Sequence, residues 1–156
     1  MTGNRQKIVQ WLLSQDDNKL FDISEHLKKR SLDQNAFYWQ VVGLIAKALR
    51  RSTAYVHNRI LQDYGKPSEL NGCLVEISLP DTEEAYIKAM ESTTYHIKPT
   101  SMVEENAYGD LNRTYLLMKG SHEMTKEEFS TIIDGALEEA RLLDVKIPEV
   151  QYEAIT

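Results

Sequence analysis

Apolar residues fall into a few stretches whose spacing sets the elements of this chain. Ile8, Val9, Trp11, Leu12 and Leu13 lie close to helical spacing and predict a short helix over Arg5–Leu13. Asp16, Asp17 and Asn18 read as a turn. Over Lys19–Leu27 the pattern alternates instead, Phe21, Ile23 and Glu25 against Leu20, Asp22, Ser24 and His26, and predicts a strand. The next stretch has a marked start. Ser31 with Gln34 spells a capping box, in which hydroxyl and amide satisfy backbone N–H groups that a helix leaves unpaired. Tyr38, Val41, Val42, Ile45 and Leu49 then recur every three or four residues, the core stripe of a helix ending near Arg50 or Arg51. Trp39 lies roughly 100° further round that helix, on a flank shared with Gly43, Ala46 and Arg50. Small residues beside an indole leave room for something to lie against it.

Ser52 or Thr53 can cap a further helix through Tyr64, with Val56, Ile60 and Tyr64 on one face and Gly65 stopping it. Cys73–Leu79 predicts a strand, Asp81–Glu91 an amphipathic helix and Thr94–Lys98 a short strand. Ser101–Asn112, rich in Glu, Asn, Gly and Asp, reads as a mobile loop, and Arg113–Lys119 as a strand. Thr125 and Glu128 form a second capping box, with Met124 and Phe129 placed to staple it. Phe129, Ile132, Ile133, Ala136, Leu137 and Ala140 continue as one apolar stripe. Pro148 stops simple continuation, leaving residues 149–156 as a short helix or a loose tail. Strands and helices without regular alternation predict a single α+β domain over 1–156 with a small sheet and several amphipathic helices.

Composition changes this picture in one respect. A chain of 156 residues can bury a core unaided. The lone Cys73 excludes an intramolecular disulfide and suits a reducing compartment. No apolar run reaches the length of a membrane span and the opening MTGNRQK does not resemble a signal peptide, so no membrane partner and a cytoplasmic location are expected. The net charge of −6 argues against nucleic acid, but it averages two unlike halves. Residues 1–66 carry 11 Lys and Arg against 6 Asp and Glu (+5); residues 67–156 carry the remaining 7 against 18 (−11). Such separation marks an interaction surface or an ordinary patchy one.

Candidate chemistry is sparse. His26, His57, His96 and His122 lie far apart, and none has metal-ligand spacing with Cys73. His57-Asn58 faintly suggests a nuclease site, but reads better as a helix-surface pair. Ser, His and Glu stand together in GSHEM at 120–124, yet neighbours in sequence do not form a catalytic triad. The pairs Glu83-Glu84, Glu104-Glu105, Glu127-Glu128 and Glu138-Glu139 read mostly as solvated faces. No catalytic residue, metal ligand or cofactor is expected. What remains is HLKKRSLDQNAFYWQ, residues 26–40. Lys28, Lys29 and Arg30 precede a helix N-terminus, Arg50, Arg51 and Arg59 add cations downstream, and Trp39 offers a face for a base. A basic track with an aromatic platform is how single strands are held. A capped helix with a core tryptophan and screened lysines is the competing reading, and composition favours it.

KKRSLDQNAFYW resembles the signature of the NinB family of phage recombination proteins, where a basic pair, R-S-L-D-Q-N and a Trp-bearing helix follow a helix and a strand. A second block, YLLMKGSHEMTKEEFSTIIDGALEEARLLDV at 115–145, resembles the family's other shared segment, while 65–112 finds no counterpart. The resemblance implies a non-enzymatic homodimer that binds single-stranded DNA in a bacterial host. It also implies that the dimer helps load a recombinase onto strands covered by single-strand-binding protein. By position it carries DNA binding to Gln34 and Trp39, although Gln34 also has the capping box to serve. Where the phage lambda member has arginine before the Met, this chain has Glu123, leaving Lys119 as the cation of that turn. The expected DNA-binding set is therefore Lys28, Lys29, Arg30, Gln34, Trp39, Arg50, Arg51 and Lys119. Two rivals stand beside it: a metal-dependent phage nuclease using His57 and carboxylates, and a protein-binding adaptor in which Trp39 is interface or core.

Overall fold

The computed structural model describes residues 4–21 and 32–148. Helices α1 (Arg5–Leu13), α2 (Leu32–Leu49) and α3 (Thr53–Tyr64) come first, followed by strands β1 (Glu69–Leu70), β2 (Cys73–Leu74) and β3 (Glu76–Pro80). Helix α4 (Glu83–Met90), strands β4 (His96–Glu105) and β5 (Leu111–Met118), a 3₁₀ turn at Ser121–Glu123 and helix α5 (Lys126–Leu142) complete an α+β fold. Strands β3, β5 and β4 form an antiparallel sheet in that order, and β1 pairs with β2 as a separate hairpin.

The predicted helices form for the reasons their sequences contain. The Ser52 hydroxyl accepts from the N–H of Tyr55 at 3.0 Å and starts α3. The Thr125–Glu128 box closes in both directions, with Glu128 N–H donating to Thr125 Oγ1 and Thr125 N–H to Glu128 Oε2. The stripes of α2, α3 and α5 then bury against one another, Tyr38, Val42, Leu61, Phe129 and Ile132 all reaching zero exposure. Burying a side chain of that size stabilises by about 1.5–3 kcal/mol. A second, smaller core joins Met90 of α4 to Ile97 and Tyr115 on one sheet face.

Helix α3 ties the two cores together with polar bonds. Asn58, at zero exposure, donates through Nδ2 to the carbonyl of Met90 at 2.7 Å and of Ser92 at 3.3 Å. One turn on, Gln62 donates to the carbonyl of Ile97 at 2.8 Å. Each bond satisfies a group that folding removes from water.

Several expectations need correction. The predicted strand Cys73–Leu79 is split, because Asn71-Gly72, at φ 52° and 79°, makes a two-residue hairpin that folds β2 onto β1 before β3 begins. The stretch Ser101–Asn112 is not a loop. Strand β4 runs to Glu105, only Asn106–Asp110 turns, and β5 resumes at Leu111. The Asn106 side chain accepts from the N–H groups of Tyr108 and Asp110, and Gly109 takes φ 86°. A register shift between Pro99 and Val103 breaks the alternation that would have disclosed the strand. Of the predicted strand Lys19–Leu27, residues 19–21 are irregular, and the remainder, like the Ser31 cap and residues 149–156, lies outside the described residues.

Candidate nucleic-acid interface

Trp39 decides what this surface can do, and it is neither core nor fully open. Its neighbours Phe37 and Tyr38 are buried, whereas the indole keeps 36% of its surface exposed. Two rings brace it, Tyr38 at 5.4 Å in an edge arrangement and His57 tilted at 4.8 Å. A turn along the helix, a β-carbon placed on Gly43 would meet nothing within 4 Å, whereas Ala46, expected on the same flank, is buried in the core, so the room beside the indole is at Gly43 alone.

The indole forms one wall of a cleft of about 330 Å³ between α2, the start of α3, the approach to β4 and the turn after β5. His57, His96 and His122 line it, joined by Thr53, Ser121 and Glu123. The histidines were expected to lie apart; folding brings three of the four together. His57 and Asn58 are not a surface pair, since they retain 3% and 0% exposure. Tyr38 Oη and His57 Nδ1 share a hydrogen bond at 2.6 Å, and the ring of His57 meets the edge of His96 at 4.9 Å. Asn58 Oδ1 lies 2.7 Å from His96 Nδ1. Burial first, then the neighbouring His122, hold His96 below the ordinary imidazole range, against the opposing pull of Glu123. The missed signal was positional, because His96 and His122 flank the strand pair whose register sequence alone did not supply.

The expected cations divide. Lys28, Lys29 and Arg30 lie outside the described residues. Arg50 and Arg51 are exposed at the corner between α2 and α3, Arg51 stacking over Tyr55 with 4.9 Å between guanidinium carbon and ring centroid. Arg50 stands where a helix usually places glycine. Its N–H bonds Lys47 O at 3.4 Å, the next N–H bonds Ala46 O at 3.0 Å, and its φ is 52°. Lys119 is engaged elsewhere, donating to Glu128 at 2.9 Å while Lys66 approaches the same carboxylate at 3.7 Å. Burial alone would raise Glu128, but the N–H of Thr125 and the ammonium of Lys119 outweigh it and hold the carboxyl below its usual range. That carboxylate is therefore not a solvated face, nor is Glu139, buried and 3.7 Å from Arg59. Gln34 is also buried, at 8% exposure, and does not present itself to a strand.

Among the described residues, no group of three or more His, Cys, Asp or Glu side chains is arranged to hold a metal ion. No described helix is long and apolar enough to cross a membrane. No protein family, curated protein or solved structure matches this chain.

Proposed function

We propose that this protein is a non-catalytic DNA-binding accessory of phage-type recombination that takes up single-stranded DNA on the α2–α3 surface. Acting as a homodimer, it helps place a recombinase on strands covered by single-strand-binding protein. The observation that carries the reading is the exposed third of Trp39 at the mouth of a cleft, on a helix whose apolar stripe is otherwise buried. An indole braced by two rings and one-third exposed suits base stacking, which contributes about 1–3 kcal/mol per base. Arg50 lies eleven residues on, roughly 16 Å along the helix axis, at the exposed left-handed position that ends α2. With Arg51 it supplies positive charge where the phosphates of a stacked strand would run, and Lys28, Lys29 and Arg30 precede the same helix in sequence. Gln34 and Lys119 have smaller parts in this reading, one buried and the other neutralised by Glu128.

Titration of labelled oligothymidylate across salt tests the proposal. Log affinity should fall with log salt at about −0.7 per phosphate contact, and Trp39→Ala should abolish most binding while circular dichroism stays native. Absence of binding at low salt sinks the reading, and sedimentation must show a dimer. A nuclease built on His57 has less support, because that ring is buried and bonded to Tyr38. The adaptor reading is favoured if Trp39→Ala leaves DNA affinity unchanged.

A further inference from the structure

We infer that the cleft seats a single nucleobase of the bound strand, its ring against Trp39 and an N–H of its pairing edge donated to Nε2 of His96. The inference rests on the single-strand reading and adds a defined subsite to it. Its strongest support is a chain of hydrogen bonds that leaves one proton no alternative position. Asn58 Nδ2 donates to the carbonyls of Met90 and Ser92, so its Oδ1 must be the atom 2.7 Å from His96 Nδ1. An amide oxygen can only accept. His96 Nδ1 therefore carries the proton and donates, and in the neutral ring Nε2 is a bare acceptor. Among the described residues the side-chain hydrogen bond of His96 is made at Nδ1, which leaves Nε2 as the acceptor for the cleft the ring lines.

The rest of the lining selects the kind of ligand. Trp39, His57 and His96 stand in series, each ring about 5 Å from the next, the first pair tilted and the second edge to face, so that the buried His57 braces the exposed indole on one side and His96 on the other. Hydroxyls of Thr53, Thr94 and Ser121 lie around these rings. Among the described residues no lysine or arginine lines the cleft, and Glu123 is its only carboxylate. Among these described residues a phosphate would meet an anion and no cation, so the group that they fit is neutral, flat and able to donate a hydrogen bond. A volume of about 330 Å³ accommodates one base with its sugar, the lower end of small-ligand clefts. Every base offers an N–H on its pairing edge, the amino groups of adenine and cytosine and the ring N–H groups of guanine and thymine. The subsite thus adds affinity without fixing sequence, in keeping with single-strand binding.

The chain has two tryptophans, so Trp11→Phe leaves Trp39 as the sole tryptophan, read by excitation beyond the tyrosine band. In that protein, binding is compared for oligothymidylate, an equal-length strand of N3-methylthymidylate, and an abasic deoxyribose-phosphate strand. The three carry the same phosphates; the second lacks the ring N–H and the third lacks the base. Oligothymidylate should quench Trp39 and bind about tenfold more tightly than the methylated strand. His96→Ala should lower its affinity to that of the methylated strand. Equal affinities for the first two strands, or an abasic strand as tight as oligothymidylate, overturn the base subsite while leaving DNA binding in place. Absence of binding by any strand at low salt removes both. Should His96→Ala fail to fold, the strand comparison in the otherwise native protein decides.

Discussion

Replacing Arg50 by glycine should move stability and DNA affinity in opposite directions. Arg50 occupies the left-handed position that ends α2, at φ 52°. An L-residue there costs about 1–2 kcal/mol, which glycine does not incur. Glycine also loosens the unfolded chain, taking back about 0.4–1 kcal/mol. The net gain is roughly 0.5–1 kcal/mol, since the side chain is exposed and surface charges contribute little. With a urea slope of about 2 kcal/mol per molar, the unfolding midpoint should rise by about 0.3–0.5 M with the slope unchanged. If Arg50 neutralises one phosphate, its loss should make the salt dependence shallower by about 0.7 and weaken binding at 0.1 M salt roughly fivefold. Urea denaturation followed by fluorescence, and strand titration at several salt concentrations, read the two effects on one variant. A midpoint that falls would refute the backbone argument. Unchanged affinity and salt slope would remove Arg50 from the interface and leave an arginine at a strained position without a function to account for it.

Other substitutions address the frame around the cleft. Asn58→Ala strands the Met90 carbonyl and the His96 N–H together and should cost about 2–4 kcal/mol in urea unfolding; a loss under about 0.5 kcal/mol would contradict the hydrogen-bond chain. Gly135→Ala puts a methyl group into the ring of Tyr64 and should destabilise by about 1–3 kcal/mol, an effect that Tyr64→Ala should relieve in the double variant. Glu128 has a folded-state pKa below its unfolded value, so its contribution is present above the unfolded pKa and is lost as pH falls through the folded one. Thermal unfolding of Glu128→Gln should accordingly show lower stability than the native protein at neutral pH and a shallower decline in acid, the two converging at the lowest pH; parallel curves would reject the assignment.

Much of the helical frame is legible in the chain itself, because its signals are local. The spans Arg5–Leu13 and Thr53–Tyr64 and the Thr125–Glu128 box follow from spacing and from capping chemistry that acts within one turn. The flank of Trp39 is legible for the same reason, since the angular advance of a helix sets Gly43 beside it. Whether that flank stays open is not, as this depends on which helix packs where. The strands are harder. The proline and register shift in β4 interrupt its alternation, and the division of the Cys73–Leu79 stretch hangs on two residues, Asn71 and Gly72, that lie just ahead of it.

The cleft belongs wholly to tertiary structure. His57, His96 and His122 are separated by dozens of residues and meet only because α3 lies across the sheet and the turn after β5 comes back beside it. Asn58 gives no sign in sequence of holding His96, because a buried amide takes its partners from whatever carbonyls and rings packing brings within about 3 Å. The same holds for charge. Composition counts Lys119 and Glu128 but cannot pair them, and pairing determines which positive groups remain available to a ligand. Local chemistry thus determined most of the helices and the flank on which Trp39 lies, whereas distances across the fold decided the strands, whether that flank is open and what faces it.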